Sequence, residues 1–312
     1  MTVAEKALPH WGLQGGTLTV IAARENTVYK VDHDVGTFAL RLHRKGYRTD
    51  SQLAAELDWM AWLDRCGLSV PAPVPSLTGA HLQHVDGTQV DVLTWLQGET
   101  IDTALPKLSL SAQCGLFRQL GETIARLHDA SDRWPGAASC DRPAWDKDGL
   151  LGEAPLWDCF WGNPDLTPPQ RKLMSTFRAT ASADLERLAP SLDYGLIHSD
   201  LVPVNLMWTG EALHLIDFDD GGFGFRLFEL ATALLKHRAH PSYPILKDSL
   251  IDAYAAVRPI DTRHLTLFMA LRAATYVGWN MTRMNEDGAE GRNDRFINSA
   301  SALAYRYIEH RG

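Results

Sequence analysis

YGLIHSDLVPVNLMWTGEALHLIDFDD, residues 194–220, sets His198, Asp200, Asn205, Asp217, Asp219 and Asp220 among three short apolar runs. The runs are 194–197, 204–208 and 212–216, and the Thr209-Gly210 pair between the last two predicts a hairpin turn. Carboxylates beside buried strands carry a desolvation cost that a divalent cation commonly offsets. Asp200 stands ahead of the hairpin, Asn205 opens it and Asp217 closes it. Strand pairing is therefore expected to bring Asn205 and Asp217 towards each other.

That order is the one used for phosphoryl transfer: a catalytic-loop Asp, an Asn five residues later, then a metal-holding Asp on the next strand. The first Asp accepts the proton of the substrate hydroxyl, while the Asn and the second Asp hold magnesium on the nucleotide phosphates. Here the three are Asp200, Asn205 and Asp217. A solvated acidic turn would share one or two of these residues, but not the full set with apolar flanks.

Around this stretch, a chain of 312 residues is long enough for one large domain or two modest ones. Its 30 basic residues stand against 38 acidic ones, a formal net charge of −8. That balance argues against a general nucleic-acid binder and gives no attraction to an anionic membrane. Cys66, Cys114, Cys140 and Cys159 show neither Cys-x-x-Cys nor zinc spacing and read as free thiols of a reducing compartment. The N-terminal MTVAEKALPHWGLQGG has no apolar core of signal-peptide length, and no run reaches the ~18 apolar residues that span a bilayer. A soluble, cytoplasmic protein is expected.

Residues 17–22, 27–33 and 37–42 predict three antiparallel strands. The turn Ala22-Ala23-Arg24-Glu25-Asn26 lies where a kinase carries its glycine-rich phosphate cover, yet it has no glycine. Asn26 tolerates the backbone geometry that glycine supplies there, and a plain hairpin turn fits the same residues. Residues 51–66 predict a helix with Leu53, Leu57, Met60 and Ala61 as its apolar stripe, Asp50 or Ser51 as its cap and Gly67 as its stop. Pro71, Pro73 and Pro75 forbid its continuation. Glu56 on this helix follows Arg41 of the third strand, matching the kinase pairing of a strand cation with a helix Glu that reaches the phosphates. Arg offers a fork suited to phosphate oxygens but is not interchangeable with Lys, and Lys30 on the preceding strand competes for the role.

Two strands around Asp86-Gly87 are expected within 81–95, and the pattern breaks at Leu96-Gln97-Gly98-Glu99. The lobe boundary is placed there. Beyond it, helices are predicted over 111–129, 168–189, 223–238, 243–257, 262–284 and 293–309, with a long aromatic-rich loop at 131–165. His128 is expected to cap or pack. Arg272, Tyr276, Trp279 and Arg283 recur at helical spacing, a stripe that fits either a substrate pocket or a core edge with snorkelling arginines.

With these residues in view, the chain resembles the aminoglycoside phosphotransferase family, which includes type II homoserine kinases and choline kinases and shares the protein-kinase-like fold. The resemblance is carried by ENTVYKV (25–31), FALRLHRKGYRT (38–49), Glu56, GETIARLHD (121–129), HSDLVPVN (198–205) and LIDFDD (215–220). It implies an α+β bilobal fold: a nucleotide-binding lobe over 1–96, with an antiparallel sheet and one helix, and a mostly helical catalytic and substrate lobe over 97–312. It further implies ATP-dependent phosphorylation of a hydroxyl with Mg2+. Asp200 would be the base, Asn205 and Asp217 the metal ligands, and Arg41 with Glu56 the phosphate-anchoring pair. Asn26 would lie by the phosphates, and the backbone near Thr94, Trp95 and Leu96 by the adenine, with a place in the core the alternative for Trp95. His198 would organise the loop, and Glu229 stands where relatives have a bracing Asp. Arg41 replaces the family's Lys.

The expected acceptor is a small hydroxyl compound: an amino acid such as homoserine, an amino alcohol or an aminoglycoside. Asp219, Trp279 and Arg272 are its candidate contacts, Asp219 suiting a cationic group and Arg272 a carboxylate. A Ser/Thr protein kinase of the same fold is the alternative, and a non-catalytic nucleotide-binding scaffold the reading from another class.

Overall fold

The computed structural model describes residues 1–23 and 26–310, so Arg24 and Glu25 of the expected phosphate-covering turn lie outside the described residues. In chain order the elements are α1 (Val3–Ala7), β1 (Thr17–Ala23), β2 (Asn26–His33), β3 (Gly36–His43), α2 (Asp50–Arg65), β4 (Leu82–Val85), β5 (Thr88–Thr94) and β6 (Glu99–Thr100). There follow α3 (Ile101–Ala104), α4 (Leu110–Asp132), β7 (Ala144–Trp145), α5 (Lys147–Leu151), α6 (Pro168–Leu188) and β8 (Tyr194–Ile197). The last are β9 (Leu206–Trp208), β10 (Leu213–Leu215), β11 (Gly222–Phe225), α7 (Arg226–Leu235), α8 (Tyr243–Val257), α9 (Leu265–Met281) and α10 (Ala289–His310). The chain is thus α+β, as expected, and it divides into two compact units: Met1–Lys107, Asp129–Arg142 and Val204–Asp219 form one, Leu108–His128, Pro143–Pro203 and Asp220–Gly312 the other.

In the first unit a five-stranded sheet runs β1-β2-β3-β5-β4, all antiparallel. Alternation along the strands sends Val31, Leu40, Val90 and Val92 to a core shared with Leu8 and Trp11, leaving Arg41 and His43 on the other face of β3. Asp86 and Gly87 both adopt positive φ, 52° and 74°, which a type I′ hairpin turn requires. α2 is capped by Thr49, not by Asp50 or Ser51: its hydroxyl accepts the N–H of Gln52 while the Gln52 side chain accepts the N–H of Thr49. Threonine wins because Gln52 sits three residues on and completes the reciprocal box.

The hairpin of the opening stretch forms with β9 and β10 in register, Leu206 opposite Leu215 and Trp208 opposite Leu213. Its loop is four residues, Thr209–Ala212, closed by the Thr209 N–H donating to the Ala212 carbonyl at 3.1 Å, one residue longer than the 209–211 gap between the expected runs. The Thr209 hydroxyl also accepts the N–H groups of Glu211 and Ala212, an alternative to the ladder that a Thr-Gly pair read alone conceals. β6 adds a third strand to this hairpin, and the Leu215 N–H donates to the Ser69 carbonyl at 3.0 Å.

In the second unit β7, β11 and β8 form a small sheet, with β11 parallel to β7 and antiparallel to β8. Residues 223–225, expected as the start of a helix, are its central strand; Gly222 and Gly224 let the backbones close to where a Cβ would meet Pro143 O at 2.2 Å and Ile197 Cδ1 at 2.4 Å. The region 131–165 is not a plain loop. It carries β7, α5 and a 3-10 turn at Phe160–Gly162, with Trp145 and Phe160 buried. All ten residues of α7 are buried, and α9 packs against α7 and α10. The cysteines are all free, and no helix of the described residues is long and apolar enough to cross a membrane.

Candidate active site

On the α2-facing side of the first unit's sheet, register puts Arg41 of β3 directly opposite Asp91 of β5. Arg41 Nε and Nη2 grip the Asp91 carboxylate in a fork, each at 2.8 Å, and Nη1 reaches Glu56 Oε1 at 2.8 Å and Asp219 Oδ1 at 3.3 Å. The strand-cation and helix-glutamate pair expected for Arg41 and Glu56 therefore exists, with two further carboxylates attached. Glu56, wholly buried, takes Arg142 Nη1 at 3.0 Å on its other oxygen. Arg142 Nη2 donates to the carbonyls of Phe218 and Asp219 at 2.9 and 2.6 Å, tying the end of the hairpin to α2.

These charges tolerate burial only because they compensate one another. Burial works against the charge of Arg41, but Asp91 and Glu56 outweigh it and hold its pKa well above the usual guanidinium value. Burial likewise pushes Glu56 and Asp91 up, and Arg41, with Arg142 for Glu56 and His43 for Asp91, brings both below the ordinary carboxylate range. Asp219 goes the other way: burial and the neighbouring Glu56 raise it despite Arg41.

Asn26 Nδ2 donates to Asp219 Oδ2, so Asn26, Arg41 and Asp219 meet at one point. Lys30, the competitor of Arg41, pairs with Asp32 at 2.9 Å. Thr94 lies three residues along β5 from Asp91 and is engaged by its neighbour: its hydroxyl accepts the Ala72 N–H at 2.8 Å. Leu96 is half-buried just beyond β5. At the open end of the hairpin the Ile216 N–H donates to the Asn205 carbonyl at 3.0 Å, extending the ladder past β9 and setting Asn205 across from Ile216-Asp217. Asn205 is buried, whereas Asp217 is exposed and held at φ 68°, a conformation rare for a non-glycine residue. Among the described residues no three His, Cys, Asp or Glu side chains form a self-contained metal cage. Asn205 and Asp217 would offer an amide and a carboxylate, hard oxygen ligands of the kind magnesium combines with waters and phosphates.

The second unit holds Asp200. The loop before it is clamped by Glu229 of α7, whose two oxygens accept the N–H groups of His198 and Ser199, both at 2.7 Å. Ser199 has φ 64°, the turn that lets consecutive amides converge on one anion. Burial pushes Glu229 up to about 7 even though those two amides favour its charged form. His198 Nδ1 accepts the Asp200 N–H at 3.3 Å, a loop-organising contact. His128 packs, as expected, with Nδ1 2.7 Å from the Tyr254 hydroxyl, and its burial depresses its pKa well below the usual value.

Arg272 of α9 is wholly buried and its Nη2 donates to Asp200 Oδ1. Trp279 of the same helix meets Trp157, the ring that also faces Arg272, and lies beneath Arg283, whose guanidinium carbon is 4.2 Å from the ring centre. Sequence reasoning missed Asp91, His43 and Arg142. Asp91 left a trace, a carboxylate inside the apolar run Val90–Leu93 on a strand facing Arg41; Arg142 left none, because nothing in its spacing links it to Glu56.

The model of the phosphotransferase enzyme family matches residues 17–264 of this chain. A homoserine kinase from Chelativorans sp. (strain BNC1) is 29% identical over 287 residues, 89% of this chain and 80% of that protein. Among solved structures, a microcompartment-associated aminopropanol kinase has a TM-score of 0.86 at 26% identity, covering 98% of this chain and 97% of that one. An amicoumacin kinase solved with AMP-PNP and Ca2+ has a TM-score of 0.77 at 18% identity, covering 96% and 92%.

Proposed function

The chain belongs to the phosphotransferase enzyme family and is a small-molecule kinase of protein-kinase-like fold, and on that premise we propose that it transfers the γ-phosphoryl group of ATP to the hydroxyl of an amino acid, an amino alcohol or an aminoglycoside. The observation that supports the site assignment is the bond from the Ile216 N–H to the Asn205 carbonyl, which sets the backbone of Asn205 across from Ile216-Asp217 at the open end of the hairpin. Asn205 and Asp217 would hold Mg2+, which when bound neutralises phosphate charge.

Asp200 orients the acceptor hydroxyl and takes its proton as transfer completes. Glu229 braces the backbone just before Asp200, through the N–H groups of His198 and Ser199. Asn26 Nδ2 and Arg41 Nη1 converge on the Asp219 carboxylate, and a phosphate oxygen presents the same kind of acceptor to that pair. Residues 1–96 are assigned to nucleotide binding, with Thr94 and Leu96 toward the adenine, and 97–312 to catalysis and the acceptor.

The acceptor class is drawn from relatives that are a homoserine kinase and an aminopropanol kinase. A panel of L-homoserine, 1-amino-2-propanol, ethanolamine, choline and an aminoglycoside, scored by ADP release with Mg2+ and ATP, tests it. Acceptor-dependent release with at least one of them is expected. ATP turnover that no hydroxyl compound stimulates would contradict the acceptor class, and no turnover with any would contradict the reaction.

A further inference from the structure

Arg272 pairs through one edge of its guanidinium: Nη2 donates to Asp200 Oδ1 and also to the Tyr276 hydroxyl at 3.1 Å. The flat of the group is boxed by aromatic rings, with its carbon 4.5 Å from the centre of Trp157, 4.5 Å from Tyr276 and 5.6 Å from Phe228. Nε and Nη1 are buried with no hydrogen-bond partner among the described residues. A buried guanidinium left part-satisfied is costly, and the rings offset only some of that cost. A side chain held so closely has no rotamer freedom to follow an acceptor. The carboxylate it grips by a hydrogen bond is that of Asp200.

We propose that Arg272 is a positioning residue, fixing the orientation of the Asp200 carboxylate through Oδ1 rather than reading the acceptor. The proposal rests on the assignment of Asp200 as the base. Asp200 is then anchored twice by a single helix pair: α7 holds the loop before it through Glu229, and α9, packed against α7, holds its side chain through Arg272. A carboxylate fixed at one oxygen cannot swing about its χ angles, and displacements of about 1 Å at a reacting group cost on the order of 10²-fold in rate.

Arg272→Met fills the aromatic box without the guanidinium, and Arg272→Lys keeps a charge without the fork. Kinetics use whichever acceptor of the panel the wild-type enzyme phosphorylates fastest. The Met variant is expected to lose about 10²-fold in kcat while KM for acceptor and for ATP stay within about twofold. The Lys variant is expected to recover part of kcat. In an Asp200→Ala background the Met change is expected to cost no further rate, since an arginine acting through Asp200 has nothing left to position. A raised acceptor KM with kcat intact overturns the proposal in favour of a substrate-reading arginine. An equal loss of kcat with and without Asp200 overturns it in favour of a general packing role. If the Met variant fails to fold, judged by its melting transition, the Lys variant carries the same two comparisons. Full activity of Asp200→Ala defeats the base assignment beneath the proposal. An inactive Asp200→Ala beside a fully active Arg272→Met defeats the positioning role alone.

Discussion

Arg41 spends its donors on three carboxylates, Asp91, Glu56 and Asp219, in a site where only 6% of the residue is exposed. Removing one partner of a buried ion network leaves the other charges uncompensated, which typically costs about 3–5 kcal/mol. Arg41→Met is expected to lower unfolding free energy in urea by roughly that amount, and Arg41→Lys by less, since Lys keeps the charge but not the fork. A wild-type urea midpoint for the Met variant would contradict the compensating role. Glu229 gives a residue-scale prediction in pH. Its folded value of about 7 lies above that of an unfolded-chain glutamate, so its contribution to stability is complete at acid pH and is lost as pH rises through about 7. Melting temperature should therefore fall as pH is raised from about 5.5 to 8.5, and fall less in Glu229→Gln, which has no proton to lose. Equal slopes in the two proteins would place the pH dependence elsewhere.

At the scale of elements, α9 comes so close to the 157–158 segment that a Cβ on Gly278 would stand 2.2 Å from Trp157 O and 2.5 Å from Asp158 O. Both obstacles are backbone, so neither can rotate away. Gly278→Ala is expected to cost about 1–3 kcal/mol of stability, the usual range for overpacking, and to shift the fluorescence of Trp157, which packs on Arg272 and Tyr276. An unchanged melting transition and emission spectrum would show that the segment yields freely. Regular elements were legible in the sequence where one periodicity governed them: the first three strands, α2, α6 and α8 fall within a residue or two of their expected bounds. β11 was not, because FGF is short, and the apolar run that follows it reads as helix from its first residue. The second strand of the hairpin starts one residue later than the expected run because side-chain capping by Thr209 competes with the turn a Thr-Gly pair suggests.

In the molecule as a whole, the candidate site was legible as a list of residues and not as a network. Asp200, Asn205, Asp217, Arg41 and Glu56 stand out by type and spacing. Asp91 and Arg142 enter only through register and through a segment that folds back on α2, long-range facts that local pattern does not encode. The two compact units divide the assigned roles, with Arg41, Glu56, Asn205 and Asp217 in one and Asp200, Glu229 and Arg272 in the other. The central claim is that Asp200 serves the acceptor hydroxyl while nucleotide and metal are held by other residues. The most direct measurement compares wild type and Asp200→Ala in acceptor-dependent ADP release, alongside Mg-ATP binding by titration calorimetry. Turnover is predicted to fall by about 10²–10⁴-fold or more, with Mg-ATP affinity retained. Wild-type turnover in Asp200→Ala would contradict the account.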